Sequence, residues 1–109
     1  MKYAIVYTDS SGKSHFRDAE FSLGSVNFAP PAPLVGLSEY IDVNKMVFFS
    51  IPPGWFGDWH PAPKKQFFCC LSGEVEIIVG DGEMRRFKKG NVFDAQSGRL
   101  LNSFSVNST

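Results

Sequence analysis

The chain has 109 residues, enough for one domain with a single hydrophobic core and too few for a second catalytic domain. Eleven lysines and arginines balance eleven aspartates and glutamates, so no basic field attracts nucleic acid or an anionic membrane. The apolar fraction of 43% excludes a disordered chain. The amino terminus is too polar for a signal peptide or a membrane span, so we expect a cytoplasmic protein whose partner is a small molecule or another protein chain.

Short strand patterns separated by turn residues run along most of the chain, and helical periodicity is nearly absent. Residues 2–8 and 14–21 predict an amino-terminal hairpin. Residues 22–43 form a proline-rich arm, which we expect to pack across one end of a barrel or against a partner subunit. Further strands are predicted at 45–51, 66–71, 74–80, 83–87, 91–95 and 99–106. About eight short strands in all indicate an all-β antiparallel sandwich or barrel.

Alternation within 74–80 predicts which side of that strand faces the core. Glu74 and Glu76 fall on one side, and the apolar residues of the other side are expected in the core. Those apolar residues are Val75, Ile77 and Val79.

The strand predicted at 66–71 is largely apolar on both faces. Gln66, Phe68 and Cys70 share one face, whereas Phe67 and Cys69 share the other. We therefore expect the strand to be covered twice, by the barrel interior and by another segment or subunit. Since neighbouring side chains of a strand point apart, a bond between the two cysteines would be strained, and we expect both to be reduced and buried.

Residues 54–73 have a spacing typical of a metal-binding motif. Five residues separate Gly54 from His60, and one separates His60 from Ala62; Gln66 follows after three more and Gly73 after a further six. This spacing resembles the first motif of the cupin superfamily, which reads Gly, five residues, His, one residue, His, three or four residues, Glu, six residues, Gly. Ala62 stands in place of the second His, and Gln66 in place of the Glu.

A second set of residues extends the resemblance, which covers roughly residues 44 to 105. Gly90 and Gly98 match the two glycines of the second cupin motif, which reads Gly, five residues, Pro, one residue, Gly, two residues, His, three residues, Asn. Gln96, Leu101 and Ser105 occupy its Pro, His and Asn positions. The resemblance implies an antiparallel jelly-roll β-barrel in a single domain, 1–109, with the hairpin and arm in 1–43 and the barrel core in 44–106.

Metal-dependent cupins hold a divalent ion with three histidines and one glutamate. At those four positions this chain has one strong ligand, His60; the others are Ala62, Gln66 and Leu101. We therefore expect no bound metal and no cofactor, and a small apolar or aromatic molecule bound in the barrel instead. Trp55 and Trp59 either stack on that molecule or cap the core. The expected ligand-binding residues are Trp55, Trp59, His60, Gln66, Phe68, Cys70 and Leu101.

An enzyme is the alternative to a binding module. His60 is the candidate catalytic residue, as a general base or a hydrogen-bond donor to the substrate, because the ordinary pKa of histidine suits proton transfer near neutrality. The resemblance implies a dioxygenase or isomerase with a rebuilt metal site, in which Asp58, His60, Gln66 and Cys70 converge, or a metal-free activity like that of sugar epimerases. The other histidine, His15, lies among charged residues and is expected on the solvated surface.

The short carboxyl end bears on assembly. The chain stops eight residues after Leu101, which leaves a jelly-roll sheet without its last strand and with an exposed edge. Pairing with a second subunit covers such an edge, so we expect a homodimer; a truncated chain is the other explanation.

Overall fold

All regular structure in the described part of the chain is β-strand. The computed structural model describes residues 1–48, 50–61 and 65–105, of which 100–105 are described by their backbone alone. Within these ranges there is no helix, and hence none long and apolar enough to cross a membrane. The strands are β1 (Lys2–Thr8), β2 (Ser14–Glu20), β3 (Gly24–Val26), β4 (Val35–Leu37), β5 (Phe56–Pro61), β6 (Gln66–Cys69), β7 (Glu74–Val79), β8 (Met84–Lys88), β9 (Val92–Ala95) and β10 (Arg99–Ser105). The predicted all-β class is confirmed.

Two four-stranded sheets form the body of the protein. The first sheet has the order β2-β1-β9-β6 and the second β5-β10-β7-β8, while β3 and β4 pair separately. The strand pairs are antiparallel, as predicted, except β1 and β9, which are parallel. The amino-terminal hairpin is therefore an integral part of the first sheet. The described strands form no closed barrel.

Most predicted strands are present, but the middle of the chain differs. The apolar stretch 45–51 forms no strand in its described residues, whereas 24–26, 35–37 and 56–61 do. The stretch 56–61, which contains His60 and lies outside the predicted strands, forms β5 because it pairs with β10. That pairing is between residues about forty positions apart, which strand propensity does not encode.

The core lies between the two sheets and contains residues from both. Val75, Ile77 and Val79 are 5%, 1% and 0% exposed, which confirms the face predicted for this strand. A run of aromatic rings crosses from sheet to sheet, with centroid distances of 6.1 Å from Phe16 to Phe87 and 4.7 Å from Phe87 to Phe93. The buried cluster consists of Ala4, Val6, Phe16, Val75, Ile77, Val79, Phe87, Phe93 and Ala95.

The proline-rich arm does not cover the end of the sandwich in the single chain. Its large apolar side chains are exposed to solvent, so the first of the two placements predicted for the arm is wrong. Packing against a partner, the other placement, stays a prediction. The exposed residues between 22 and 48 are Leu23, Val26, Phe28, Leu34, Val35, Tyr40, Ile41, Val43, Met46, Val47 and Phe48.

Candidate binding site between the two sheets

His60 occupies an inward-facing position on the second sheet. In the register across three strands, His60 pairs with Leu100 and Leu100 pairs with Val79. Directly paired positions lie on the same face of a sheet, and Val79 is fully buried in the core. His60 therefore lies on the core face of edge strand β5, where its side chain is half-buried.

The ring of His60 is held by its own strand. Its Nδ1 lies 2.6 Å from the carbonyl oxygen of Asp58, which can only accept, so Nδ1 carries the proton and donates it. In the neutral ring, Nε2 is then an acceptor. The carboxylate of Asp58 accepts a hydrogen bond from the backbone N–H of Trp59 at 2.8 Å.

Trp59 precedes His60 on β5 and therefore lies on the opposite face of the strand. The register between β5 and β10 shifts between Leu100 and Asn102, so that Asp58 and Trp59 together oppose Leu101. Trp59 is 41% exposed and lines a groove of about 560 Å³. The structure thus brings Trp59 to a different surface from His60. The other residues of this groove are Ser11, Gly12, Lys13, Ser14, Gly80 and Arg99.

Gln66 and Phe68 face inward from the first sheet. Gln66 pairs with Ala95 and Phe68 with Phe93, and both partners are core residues. The ring of Phe68 stacks on Phe93 with a centroid distance of 4.6 Å and an interplanar angle of 13°. Both side chains are half-buried, as expected for positions at the open edge of the sandwich.

The opposite face of β6 is uncovered in the single chain. Phe67 is 37% exposed and Cys69 is also exposed. The expected covering by another segment of the same chain is therefore absent from the described residues, while covering by a second subunit stays a prediction.

Cys70 lies just beyond β6 and is half-buried. Its Sγ is 3.4 Å from the carbonyl oxygen of Ser72 and 3.9 Å from that of Phe87. Burial raises the pKa of the Cys70 thiol, so the thiol is protonated at neutral pH. Both cysteines are free, as expected, whereas the predicted burial is wrong for Cys69, which is exposed.

The structure shows less about the remaining residues that were predicted to form the site. Trp55 precedes β5, is 40% exposed and donates its backbone N–H to the carbonyl of Pro52 at 3.1 Å. The backbone of Leu101 pairs with Ile78, and Ala62 lies outside the described residues. Among the residues that the structure describes, no three His, Cys, Asp or Glu side chains come together as a metal site, and so Asp58, His60 and Cys70 do not form one.

His15 forms a charged cluster that the sequence did not reveal. Its Nε2 lies 2.6 Å from Oδ2 of Asp9 and its Nδ1 2.8 Å from Oδ2 of Asp81, and only 25% of its side chain is exposed. The predicted solvated position was therefore wrong. The hydrogen bond that His15 donates to Asp9, followed by the one it donates to Asp81, raises the pKa of His15. The one signal in the sequence was that each aspartate begins a glycine-containing turn.

The four glycines that carry the cupin resemblance have one backbone property in common. Each has a positive φ, a conformation that favours glycine: the angles are 80° at Gly54, 75° at Gly73, 87° at Gly90 and 106° at Gly98. No family model, curated protein or solved structure matches the chain. Membership of the cupin superfamily accordingly stays a prediction from these motifs.

Proposed function

We propose that this protein is a cupin-like jelly-roll domain that binds a small molecule at the open edge between its two sheets, without a metal. The observation that carries the proposal is the inward position of His60 on β5, set by its pairing through Leu100 to the buried Val79. Gln66 and Phe68 face inward from the other sheet on β6. These edge strands are consecutive in the chain, so a ligand between them contacts both sheets.

The side chains at this edge suit a small aromatic or apolar ligand with one or two polar groups. Phe68 offers a half-buried ring that is already stacked on Phe93 and that can extend the stack to a ligand. The Nε2 of His60 accepts a hydrogen bond, and the amide of Gln66 both donates and accepts. A few polar groups on an apolar wall are the usual composition of a small-molecule site.

The donor set argues against a resident divalent metal. The amide of Gln66 is neutral, and the Cys70 thiol is protonated near neutrality because burial raises its pKa. A metal binds the thiolate rather than the thiol, so Cys70 is a poor ligand here. His60 then stands as a single strong ligand, which does not hold a divalent ion against water.

Two measurements test this function. Metal analysis of untagged protein purified without chelator is expected to give far less than one equivalent of iron, manganese, nickel or zinc per chain. A screen of small phenols and aromatic acids by ligand-observed NMR is expected to give binders that His60→Ala and Gln66→Ala weaken. Trp59→Ala is the matched control, since Trp59 lies on the opposite face of β5 from His60. One equivalent of metal, or binding that depends on Trp59 and not on His60, overturns the proposal.

A metal-free enzyme is the second candidate, favoured by one observation. The bond from Nδ1 of His60 to the Asp58 carbonyl fixes the ring and leaves Nε2 to take a proton from a substrate. Turnover of phenolic or sugar substrates that falls in His60→Ala, together with a pH profile governed by one group, supports this activity. Unchanged turnover in His60→Ala rejects it.

A further inference from the structure

The groove beside Trp59 lies outside the proposed ligand site and has a basic lining. Its volume is about 560 Å³. Lys13 and Arg99 both line it, and both are exposed. Neither cation forms a salt bridge within the part of the chain that the structure describes. Two cations without an ionic partner in one groove favour an anionic ligand.

The two cations reach this groove from different sheets. Arg99 begins β10 of the second sheet, and its Nη2 lies 3.5 Å from the carbonyl oxygen of Trp59 on β5. Lys13 belongs to the turn between β1 and β2 of the first sheet and passes over Gly80, which follows β7. A Cβ on Gly80 would lie only 3.2 Å from Cγ of Lys13. Because Gly80 has no side chain, a lysine of the first sheet lies over the second sheet and lines the same groove as Arg99.

A buried hydroxyl fixes the strand ends that carry the two cations. Ser14, next to Lys13, is 2% exposed. Its Oγ donates a hydrogen bond to the carbonyl oxygen of Arg99 and accepts one from the backbone N–H of Gly80, each at 2.6 Å. The start of β2 is thereby bound to the start of β10 and to the end of β7. This part of the groove is therefore held in place before a ligand arrives, which lowers the entropic cost of binding.

The neighbouring carboxylates do not line the groove. Asp9 and Asp81 instead bind the ring of His15, at 2.6 and 2.8 Å. The hydrogen bonds to Asp9 and then to Asp81 raise the pKa of His15, so its imidazolium offsets part of their negative charge. The charges that line the groove itself are those of Lys13 and Arg99.

Trp59 gives the groove an aromatic wall. Arg99 pairs with Pro61, two residues beyond Trp59, so Arg99 and Trp59 lie on the same face of the second sheet. Trp59 is 41% exposed, and an exposed indole is a surface on which a planar ring stacks. The volume of the groove lies within the range of about 300–1,000 Å³ that is usual for small-molecule sites.

We propose that the groove lined by Lys13, Trp59 and Arg99 is a second small-molecule site, which binds a phosphate monoester that carries a planar ring. The ring stacks on Trp59, and the phosphate, nearly doubly charged at neutral pH, binds the two cations. An aromatic carboxylate carries about half that charge and binds the cations less tightly. This inference goes beyond the proposed function, because Trp59 lies on the opposite face of β5 from His60, and either site can fail without the other.

Calorimetric titration of the full chain with 1-naphthyl phosphate at neutral pH tests the site. The wild type is expected to bind it, and more weakly as salt is added, because the contact is between charges. Arg99→Gln and Lys13→Gln are each expected to raise the Kd about 10-fold, and Trp59→Ala by a similar factor. All three residues are exposed, so these variants keep the fold. Lys89→Gln removes the same charge in the exposed turn between β8 and β9; it is the matched control and keeps the wild-type Kd.

Two further ligands separate this site from the one at His60. 1-Naphthol has the same ring without the phosphate and, as a phenol, tests the proposed ligand site: its binding is expected to fall in His60→Ala and not in Arg99→Gln. Inorganic phosphate lacks the ring and is expected to bind at least about 10-fold more weakly than 1-naphthyl phosphate.

Four outcomes of these titrations overturn the proposal. They are no binding of 1-naphthyl phosphate, binding that Arg99→Gln and Lys13→Gln leave unchanged, an equal loss in the control Lys89→Gln, and equal affinity for inorganic phosphate. Binding of 1-naphthyl phosphate that His60→Ala abolishes and Trp59→Ala leaves intact also overturns it, because the compound then occupies the ligand site.

Discussion

His15 and Asp81 are 66 positions apart in the chain, yet Nδ1 of His15 lies 2.8 Å from Oδ2 of Asp81. His15 is on β2 of the first sheet, and Asp81 begins the turn between β7 and β8 of the second. The opposite ring nitrogen binds Asp9, in the turn between β1 and β2. One imidazole thus ties the two sheets together at one end of the sandwich, next to the buried hydroxyl of Ser14, which donates to the Arg99 carbonyl at 2.6 Å.

The His15 cluster makes stability depend on pH in a defined direction. The pKa of His15 is raised from 6.5, so its contribution is complete below pH 6.5 and is lost as pH rises through the folded-state pKa. The pKa of Asp9 is lowered from 3.8, chiefly by the hydrogen bond from His15, and that of Asp81 is lowered too. Their contribution is complete above pH 3.8 and is lost as pH falls through their folded-state values. The cluster therefore stabilises most between pH 3.8 and 6.5.

Thermal unfolding of His15→Gln against the wild type measures this effect. The difference in Tm is expected to be largest near pH 6 and to shrink toward pH 9, as the wild-type imidazole loses its proton on passing its raised pKa. A Tm difference that is the same at both pH values would show that His15 acts only through its shape.

Ile77 and its neighbour Ile78 provide a matched test of the core. Ile77 is 1% exposed between the sheets, whereas Ile78 points to the other side of β7 and is half-buried. Ile77→Ala is expected to lower the free energy of unfolding by about 2–5 kcal/mol, because it leaves a cavity in a packed core. Ile78→Ala is expected to lower the free energy of unfolding by less than half that amount. Urea denaturation of both variants measures the two losses, and equal losses would refute the assigned faces.

The two adjacent cysteines should differ in reactivity. Cys69 is exposed, while Cys70 is half-buried and its pKa is raised by that burial. Since the thiolate is the reactive form, a thiol reagent at neutral pH is expected to modify Cys69 quickly and Cys70 slowly. Cys69→Ser should remove the fast phase and Cys70→Ser the slow one. A fast phase that survives in Cys69→Ser would contradict the structure.

Local patterns predicted the faces of strands but not the pairing between strands. Alternation placed Ile77 in the core and Gln66 and Phe68 on a shared face, since side-chain direction along a strand depends only on its period of two. The stretch 45–51 is as apolar as a strand, yet its described residues pair with nothing. The stretch 56–61 contains Gly57 and ends at Pro61, yet it pairs with β10.

The geometry of the site could not be predicted from local patterns either, because it depends on pairing between distant strands. The face of His60 is set by the pairing of β5 with β10 and of β10 with β7, and the bulge at Asp58 and Trp59 brings Gly57 to the same face as His60. The partners of His15 could not be inferred from its charged neighbours in sequence, because Asp81 comes from the other sheet. Pairings over long sequence separation depend on the whole fold and leave little trace in any one segment.

Gly98, one of the motif glycines, allows a test of why the glycine is needed. Its φ is 106°, and a Cβ there would lie 2.7 Å from Cβ of Ser14 and 2.8 Å from Oγ1 of Thr8. Gly98→Ala therefore meets both backbone strain and a clash with the first sheet. Gly82, in the turn between β7 and β8, has a φ of 91° and open space around it, so Gly82→Ala meets the strain alone.

The two glycine substitutions are thus expected to lower the free energy of unfolding by different amounts. Gly82→Ala should lower the free energy of unfolding by about 1–2 kcal/mol, the cost of a left-handed backbone for a side chain. Gly98→Ala should cost at least about 1 kcal/mol more, because the contact with Ser14 is too short for packing and either β10 or β2 has to shift. Denaturant unfolding of both variants measures the two losses of stability. Equal losses would mean that backbone conformation alone selects glycine at position 98, and that the close approach of the two sheets there is not needed for stability.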